Sequence, residues 1–369
     1  MQRIMEPMKL DEEEREISIM ANTLSDGRID QWYYFLWQHL LLGRDERDEP
    51  EHLWNVTEYT VLWPERRALR RVVLCFGLAN ASPRYQNPDY LIVRIAPIMC
   101  AQSNPVEVAR TELAVEIDLS DEKFLHLLKQ YAACRELGKT GHPGFQDSYS
   151  TEVLFDALVA TLTTENLPKI IYTFGKERKN GRAWLGTVNL REIAGIPPGA
   201  KIAFQQSFDA IAGLILQPIF AKQYPDYPVF KVRLINENFD DIVNDMFKSS
   251  VNRKWISKKA EATFGVLGLT HHGMAKDDGS VYVDWLKTEL GSYQTQMPLG
   301  GKRLLEELTA RSAIALEREF ILFLLLALVR QKVLDIQVDG TRYSSTTLTR
   351  LGKMDFNQFI GKKFAFVVV

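Results

Sequence analysis

Apolar positions recur with helical spacing most clearly between Ile196 and Phe230. Phe204, Phe208, Ile211 and Ile215 stand at i, i+4, i+7 and i+11, which is one face of a helix. Pro197-Pro198-Gly199 breaks the chain before this series. Pro218 is expected to stop or kink the helix, because proline cannot donate to the preceding turn. Tyr224-Pro225-Asp226-Tyr227-Pro228 then reads as a stiff segment with two aromatics. The stretch predicts a buried central helix with a rigid exit.

The same reading along the rest of the chain gives an alternation of helices and short strands. Leu10 to Leu24 is an exposed helix, with Asp11, Glu12, Glu13 and Glu14 at its positive end. Ile29 to Leu42 is a second helix, carrying Trp32, Tyr33, Tyr34, Phe35 and Trp37. Such aromatics could stack bases, but only Arg28 and Arg44 lie near, so packing is the better account. Gly43 to Glu51 is a charged linker. Arg71 to Phe76 and Tyr90 to Ile95 are short β-rich runs, followed by helices over Leu119 to Cys134 and Thr151 to Leu162. Ile170 to Phe174 and Ala183 to Leu185 are candidate hairpin strands, with Asn180-Gly181 as the turn signal.

Beyond the central helix, Phe230 to Ile235 alternates as a strand, and Asn238 can cap a helix containing Ile242. Helices follow over Arg253 to Leu267, Gly279 to Leu290, Lys302 to Arg311 and Ala313 to Lys332. Leu334 to Val338 and Thr341 to Tyr343 form a hairpin through Asp339-Gly340, a pair suited to a type I′ turn. Helices followed by a hairpin is winged-helix order.

Composition narrows the class. The 369 residues are 46% hydrophobic and 25% charged, which is ordinary globular usage. A net charge of −2 gives no global case for nucleic acid or an anionic membrane. Cys75, Cys100 and Cys134 are widely spaced and form no CxxC pair, so a reduced, cytoplasmic setting is expected. The N-terminus lacks the apolar core of a signal peptide. The most apolar run, Phe320 to Val329, falls short of the ~20 residues a spanning helix needs, so it predicts a buried helix and no membrane partner.

Candidate chemistry is sparse. Ala133 to Thr140 fits a relaxed P-loop, which would make Gly138, Lys139 and Thr140 nucleotide-binding residues. A phosphate cradle, however, needs a strand before the loop and a helix after it, and here the order is reversed. A helix end with Lys139 near the last carbonyls is the better account. His271 and His272 lie near Asp277 and Asp278 without zinc spacing, so no metal site is expected. No nucleophile or paired-carboxylate motif stands out, and no catalytic residue is assigned. Arg253, Lys254, Lys258 and Lys259, with Lys302, Arg303 and Arg311, are the best local patch for duplex DNA, though a solvated helix face explains them as well.

Several pieces together resemble one family, the large PglY/BrxC-like ATPases of bacterial phage-resistance (BREX) systems. The segment Tyr224-Pro225-Asp226-Tyr227-Pro228-Val229-Phe230 after the apolar helix is similar to the family's (Y/A)P-x-(Y/H)P-x-F pattern just beyond its ATPase. Ala260 to Leu269 resembles its A-x-x-V-L-x-x-L-x-L helix, and Phe320 to Leu351 its apolar helix, hairpin and following helix. Residues 1 to 195 resemble it only diffusely. Family members are longer and carry a P-loop ATPase upstream, so the resemblance implies the middle section of such a protein. It implies partners among phage-defence proteins or the ATPase portion of the same protein. ATP and magnesium would enter only through an ATPase region outside this chain.

The expected fold is α+β and predominantly helical, with a small mixed N-terminal part and a C-terminal winged-helix-like part. The expected divisions are a helical segment (1–50), a mixed region (51–195), a helical region around the central helix (196–275) and a winged-helix-like domain (276–369). The expected function is a non-catalytic scaffold or interaction region of a phage-defence (BREX-like) ATPase, mediating assembly and, as a further expectation, non-specific DNA contact. The alternatives are a stand-alone winged-helix DNA-binding protein and a diverged P-loop hydrolase.

Overall fold

Apolar runs rich in β-branched residues form much of a six-stranded mixed sheet. In a computed structural model, its order is β1 (Val56–Trp63), β2 (Ala68–Phe76), β3 (Ile92–Ile95), β4 (Glu112–Ile117), β5 (Ile170–Phe174) and β6 (Glu177–Asn180). The structure describes residues 14–45, 55–77, 91–99, 112–120, 122–140, 148–164, 166–231, 241–242, 245, 257–271, 274–275, 279–293, 299–311, 316–347 and 363–368. Strands β2, β3 and β4 run parallel, and β5 and β6 are antiparallel to their neighbours. The molecule is thus mixed α and β, with a larger N-terminal sheet than its helical patterning predicts.

The chain divides into two units. The first holds residues 1–62 and 70–216, the second 63–69 and 217–369.

In the first unit, helix α1 covers residues 14–23, followed by α2 (Asp26–Leu42), α3 (Glu122–Lys139), α4 (Ser148–Thr164), the short α5 (Asn166–Lys169), α6 (Gly181–Leu185) and α7 (Leu190–Ala194). Helix α2 ends at Gly43, whose φ of 67° lets its N–H return to the His39 carbonyl. Trp32, Tyr33, Phe35 and Trp37 are fully buried, which is packing and not an open stacking platform. Helix α3 runs five residues past the expected end at Cys134, because Leu137 is buried in the cluster with Ile17, Ala133 and Cys134.

The expected hairpin to Ala183–Leu185 is not the one formed. Strand β5 turns at Gly175-Lys176, where Gly175 has φ 59°, and pairs with β6, Phe174 facing Glu177. Asn180 instead caps α6, its side chain accepting from the Ala183 N–H at 2.8 Å. Asparagine before glycine signals a helix cap as readily as a turn, and here the cap wins.

Helix α8 (Phe204–Gln223) is the predicted central helix, and the division between units falls within it after Leu216. Pro218 lies inside it and does not end it. In the second unit, burial of Phe220 against Trp63, with ring centroids 5.8 Å apart, offsets the backbone bond that proline removes.

The second unit continues with α9 (Lys258–Phe264), the short pair β7 (Thr270–His271) and β8 (Met274–Ala275), α10 (Val281–Gly291), β9 (Leu299–Gly300), α11 (Gly301–Arg311), α12 (Arg318–Arg330), β10 (Leu334–Val338), β11 (Thr341–Tyr343) and β12 (Phe364–Val368). Residues 230 and 231 are not in a strand, and the rest of the strand expected to Ile235 lies outside the described residues, as does the cap at Asn238. The hairpin β10–β11 forms with Val338 facing Thr341, and Asp339 and Gly340 both have positive φ, as type I′ geometry requires. Strand β12 lies between β10 and β9, giving the order β11-β10-β12-β9. Phe320 to Val329 of α12 are buried without exception, the predicted all-round burial. Among the described residues no helix is long and apolar enough to cross a membrane.

Candidate functional site

Gly138-Lys139-Thr140 lies where α3 ends. The Thr140 hydroxyl donates to the Leu137 carbonyl at 2.9 Å, and Lys139 sits 3.8 Å from Glu136 and 5.4 Å from the Trp32 ring centre. Glu136 is the hub of this α2–α3 seam. Its Oε1 accepts from Arg28 at 2.9 and 2.6 Å and from the Trp32 indole at 3.0 Å. Arg28 and Arg135 also approach the Trp32 ring, at 5.7 and 4.9 Å. A helix C-terminus presents carbonyls and the negative end of the dipole, whereas phosphate is cradled by N–H groups at an N-terminus. The cations here brace a buried tryptophan between two helices.

Four of the other basic candidates occupy the opening turns of two helices. Lys258 and Lys259 are exposed at the start of α9, which Ser257 caps. Lys302 and Arg303 are exposed at the start of α11, and Arg303 pairs with Glu307 at 2.7 Å. Arg311 is the last residue of α11. Arg253 and Lys254 lie outside the described residues.

The sequence singles out none of the following buried and half-buried polar groups. On the sheet, Arg94 of β3 forms an ion pair with Glu112 of β4, with a second contact at 3.4 Å, and donates to the Gly77 carbonyl at 2.7 Å. Cys75 is the β2 neighbour of Arg94. Burial pushes its thiol pKa up, Arg94 pulls it down and Glu112 adds to the rise. Asp30 of α2 accepts from the Ile98 and Met99 N–H groups at 2.7 and 2.9 Å. Tyr59 donates to Asp209 at 2.6 Å, and burial and the Asp209 charge both push its phenol far above its ordinary value. In the second unit, Glu317 accepts from the Leu69 N–H at 2.9 Å and from the Tyr227 hydroxyl. Phe230 stacks on Phe320 at 4.1 Å, so the aromatics of the Tyr-Pro segment anchor it to the start of α12.

These carboxylates receive donors from the protein itself and tie separate chain segments together. Among the described residues no group of three His, Cys, Asp or Glu could hold a metal ion. The signal available in the sequence was a charged residue within an apolar run, as with Arg94 inside Leu91–Ala96.

The family model described as the DUF6079 third domain covers residues 15–224, more than half of the chain. No curated protein and no solved structure matches.

Proposed function

The chain belongs to the DUF6079 third-domain family, and we propose that it is a non-catalytic scaffold section of a larger phage-defence ATPase of the BREX type. The observation that carries this reading is the use of its buried and half-buried carboxylates. Asp30, Glu112, Glu136, Asp209 and Glu317 each hold one chain segment to another. The family description names a third domain, which suits a section that works beside others. The resemblance of the Tyr224–Phe230 segment and the α12 hairpin region to the post-ATPase part of PglY/BrxC-like proteins supplies the defence context. The setting is cytoplasmic, the partners are other defence proteins or the ATPase portion, and ATP and magnesium act only there.

The test is co-expression with the P-loop region that this reading requires, together with an ATP turnover assay on the purified chain. Co-elution in a stable complex, with no turnover by this chain alone, is the expected result. Turnover that disappears in Lys139→Ala would overturn it in favour of a hydrolase.

The order α10, β9, α11, α12, β10, β11 favours a second reading, a winged-helix-like module. In that reading the module binds protein. The helix before the hairpin, the usual groove reader, is α12, and its apolar residues are in the core.

A further inference from the structure

Strand β6 closes one side of the six-stranded sheet, and by its share of Lys and Arg it is the most basic strand of that sheet. From Lys176 to Arg182 the residues are KERKNGR, four cations against one carboxylate, in a chain of net charge −2. Lys176, Arg178, Lys179 and Arg182 are all exposed, Arg178 and Lys179 with side chains 60% and 46% accessible.

Their placement follows from register. Arg178 faces Thr173 on one side of the sheet and Lys179 faces Tyr172 on the other, because successive strand residues alternate. The edge is therefore flanked by cations from both faces. Two of them are braced. Arg178 leans on Glu116 at 2.7 Å, and Lys179 pairs with Glu177 and lies 5.0 Å from the Trp184 ring centre. Trp184 is itself fixed, its indole donating to the Tyr172 carbonyl at 3.2 Å.

Charged edge strands also protect a sheet from pairing with another chain. One or two lysines would serve that purpose, and the cations here continue past the strand into both its turn and α6. A protein partner would need an apolar or aromatic anchor at the centre of the contact. Across 176–183 the exposed side chains are charged apart from Ala183, and Trp184 is half-buried. A polymer of evenly spaced phosphates needs no such anchor.

We propose that the β6 edge, from Lys176 through Arg182, is a sequence-independent contact for the phosphate backbone of duplex DNA. It goes beyond the scaffold reading and does not require it. It uses none of the basic residues of α9 and α11.

The experiment is fluorescence anisotropy of a labelled, mixed-sequence duplex with the full chain over a salt series. Four phosphate contacts predict a slope of log K against log salt of about −3 to −4. Replacing Lys176, Arg178, Lys179 and Arg182 by Gln should weaken binding at least about tenfold and flatten the slope by about 3. Lys258→Gln/Lys259→Gln should leave both unchanged. Should the fourfold variant melt early, Lys176→Gln and Arg182→Gln singly should each flatten the slope by about 1. No duplex binding at low salt, an unchanged slope in a folded edge variant, or equal loss in the α9 variant would each overturn the proposal. So would competition by polyglutamate or duplex RNA as effective as that by DNA.

Discussion

Gly213 of α8 lies so close to the carbonyl of Leu62 in β1 that a Cβ at position 213 would overlap the Leu62 oxygen. Only glycine lets the helix approach the strand at this distance. Alanine is favoured over glycine within a helix by about 1 kcal/mol. Overlap with a backbone atom costs about 3 kcal/mol or more, because the carbonyl cannot rotate away as a side chain would. Gly213→Ala should therefore lower stability by about 2 kcal/mol or more. Gly138→Ala in α3, where a Cβ meets nothing within 4 Å, should be neutral or stabilising. Urea midpoints of the two variants decide the point, and equal midpoints would contradict the close approach.

Glu317 holds two donors that are far from it in sequence, the Leu69 N–H and the Tyr227 hydroxyl. Glu317→Ala leaves both without this acceptor and should cost about 2–3 kcal/mol, against about 1 kcal/mol for Tyr227→Phe. A double-mutant cycle in urea should show coupling between the two positions. Strict additivity would mean that the Tyr-Pro segment is held by its ring contacts alone.

The Arg94–Glu112 pair is buried on the sheet, so its two members are unequal to their sum. Arg94→Met should cost about 3–5 kcal/mol by leaving the Glu112 carboxylate buried without its guanidinium. Arg94→Met/Glu112→Leu should recover most of that loss. Chemical denaturation of the single and double variants checks this, and a double variant no better than the single would refute it.

Burial raises the phenols of Tyr33, Tyr59 and Tyr172, with the Asp209 charge adding to the rise at Tyr59 and Tyr172. Their folded values lie above the unfolded value of about 10, so their stabilisation is complete below that pH and falls as pH rises past it. Cys75, raised in the same sense, begins to act above about pH 8.5. An alkaline titration followed by phenolate absorbance and circular dichroism should show these tyrosines ionising only as the fold is lost. Full ionisation of every tyrosine near pH ~10 in a folded sample would contradict their burial.

Lys139 contributes through Trp32 and Glu136. Lys139→Ala should lower stability by about 0.5–1 kcal/mol, the scale of one exposed cation–π contact, and leave ATP affinity at background. Equilibrium dialysis with labelled ATP and a melting curve separate the two effects.

The central helix was legible because Phe204, Phe208, Ile211 and Ile215 carry its period without interruption. Its length was not, since Pro218 is a breaker by propensity and only the burial of Phe220 overrides it. Strand β1 carries a period-two series, Tyr59, Val61 and Trp63, all buried, yet the expected strands begin only at Arg71. Strand β4 is harder, because Glu-Leu-Ala-Val-Glu-Ile is built largely from helix formers and becomes a strand through pairing with β3. The hairpin at Asp339-Gly340 was fully local and formed as its turn chemistry dictates. The tie points at Asp30, Arg94 and Glu317 depend on partners 17 to 248 positions away, and neither period nor motif encodes such distances.

The large sheet has its strands side by side in the order in which they are synthesised, β1 through β6. Each strand leaving the ribosome therefore meets a neighbour that is already made. At about 5–20 residues per second, the stretch from Val56 to Asn180 emerges over roughly 6–25 s. Helix α8, whose Phe208 covers Tyr59 and Tyr172, is translated only afterwards. A nascent chain paused before Phe204 would thus leave Tyr59 and Tyr172 without the ring that covers them in the finished fold.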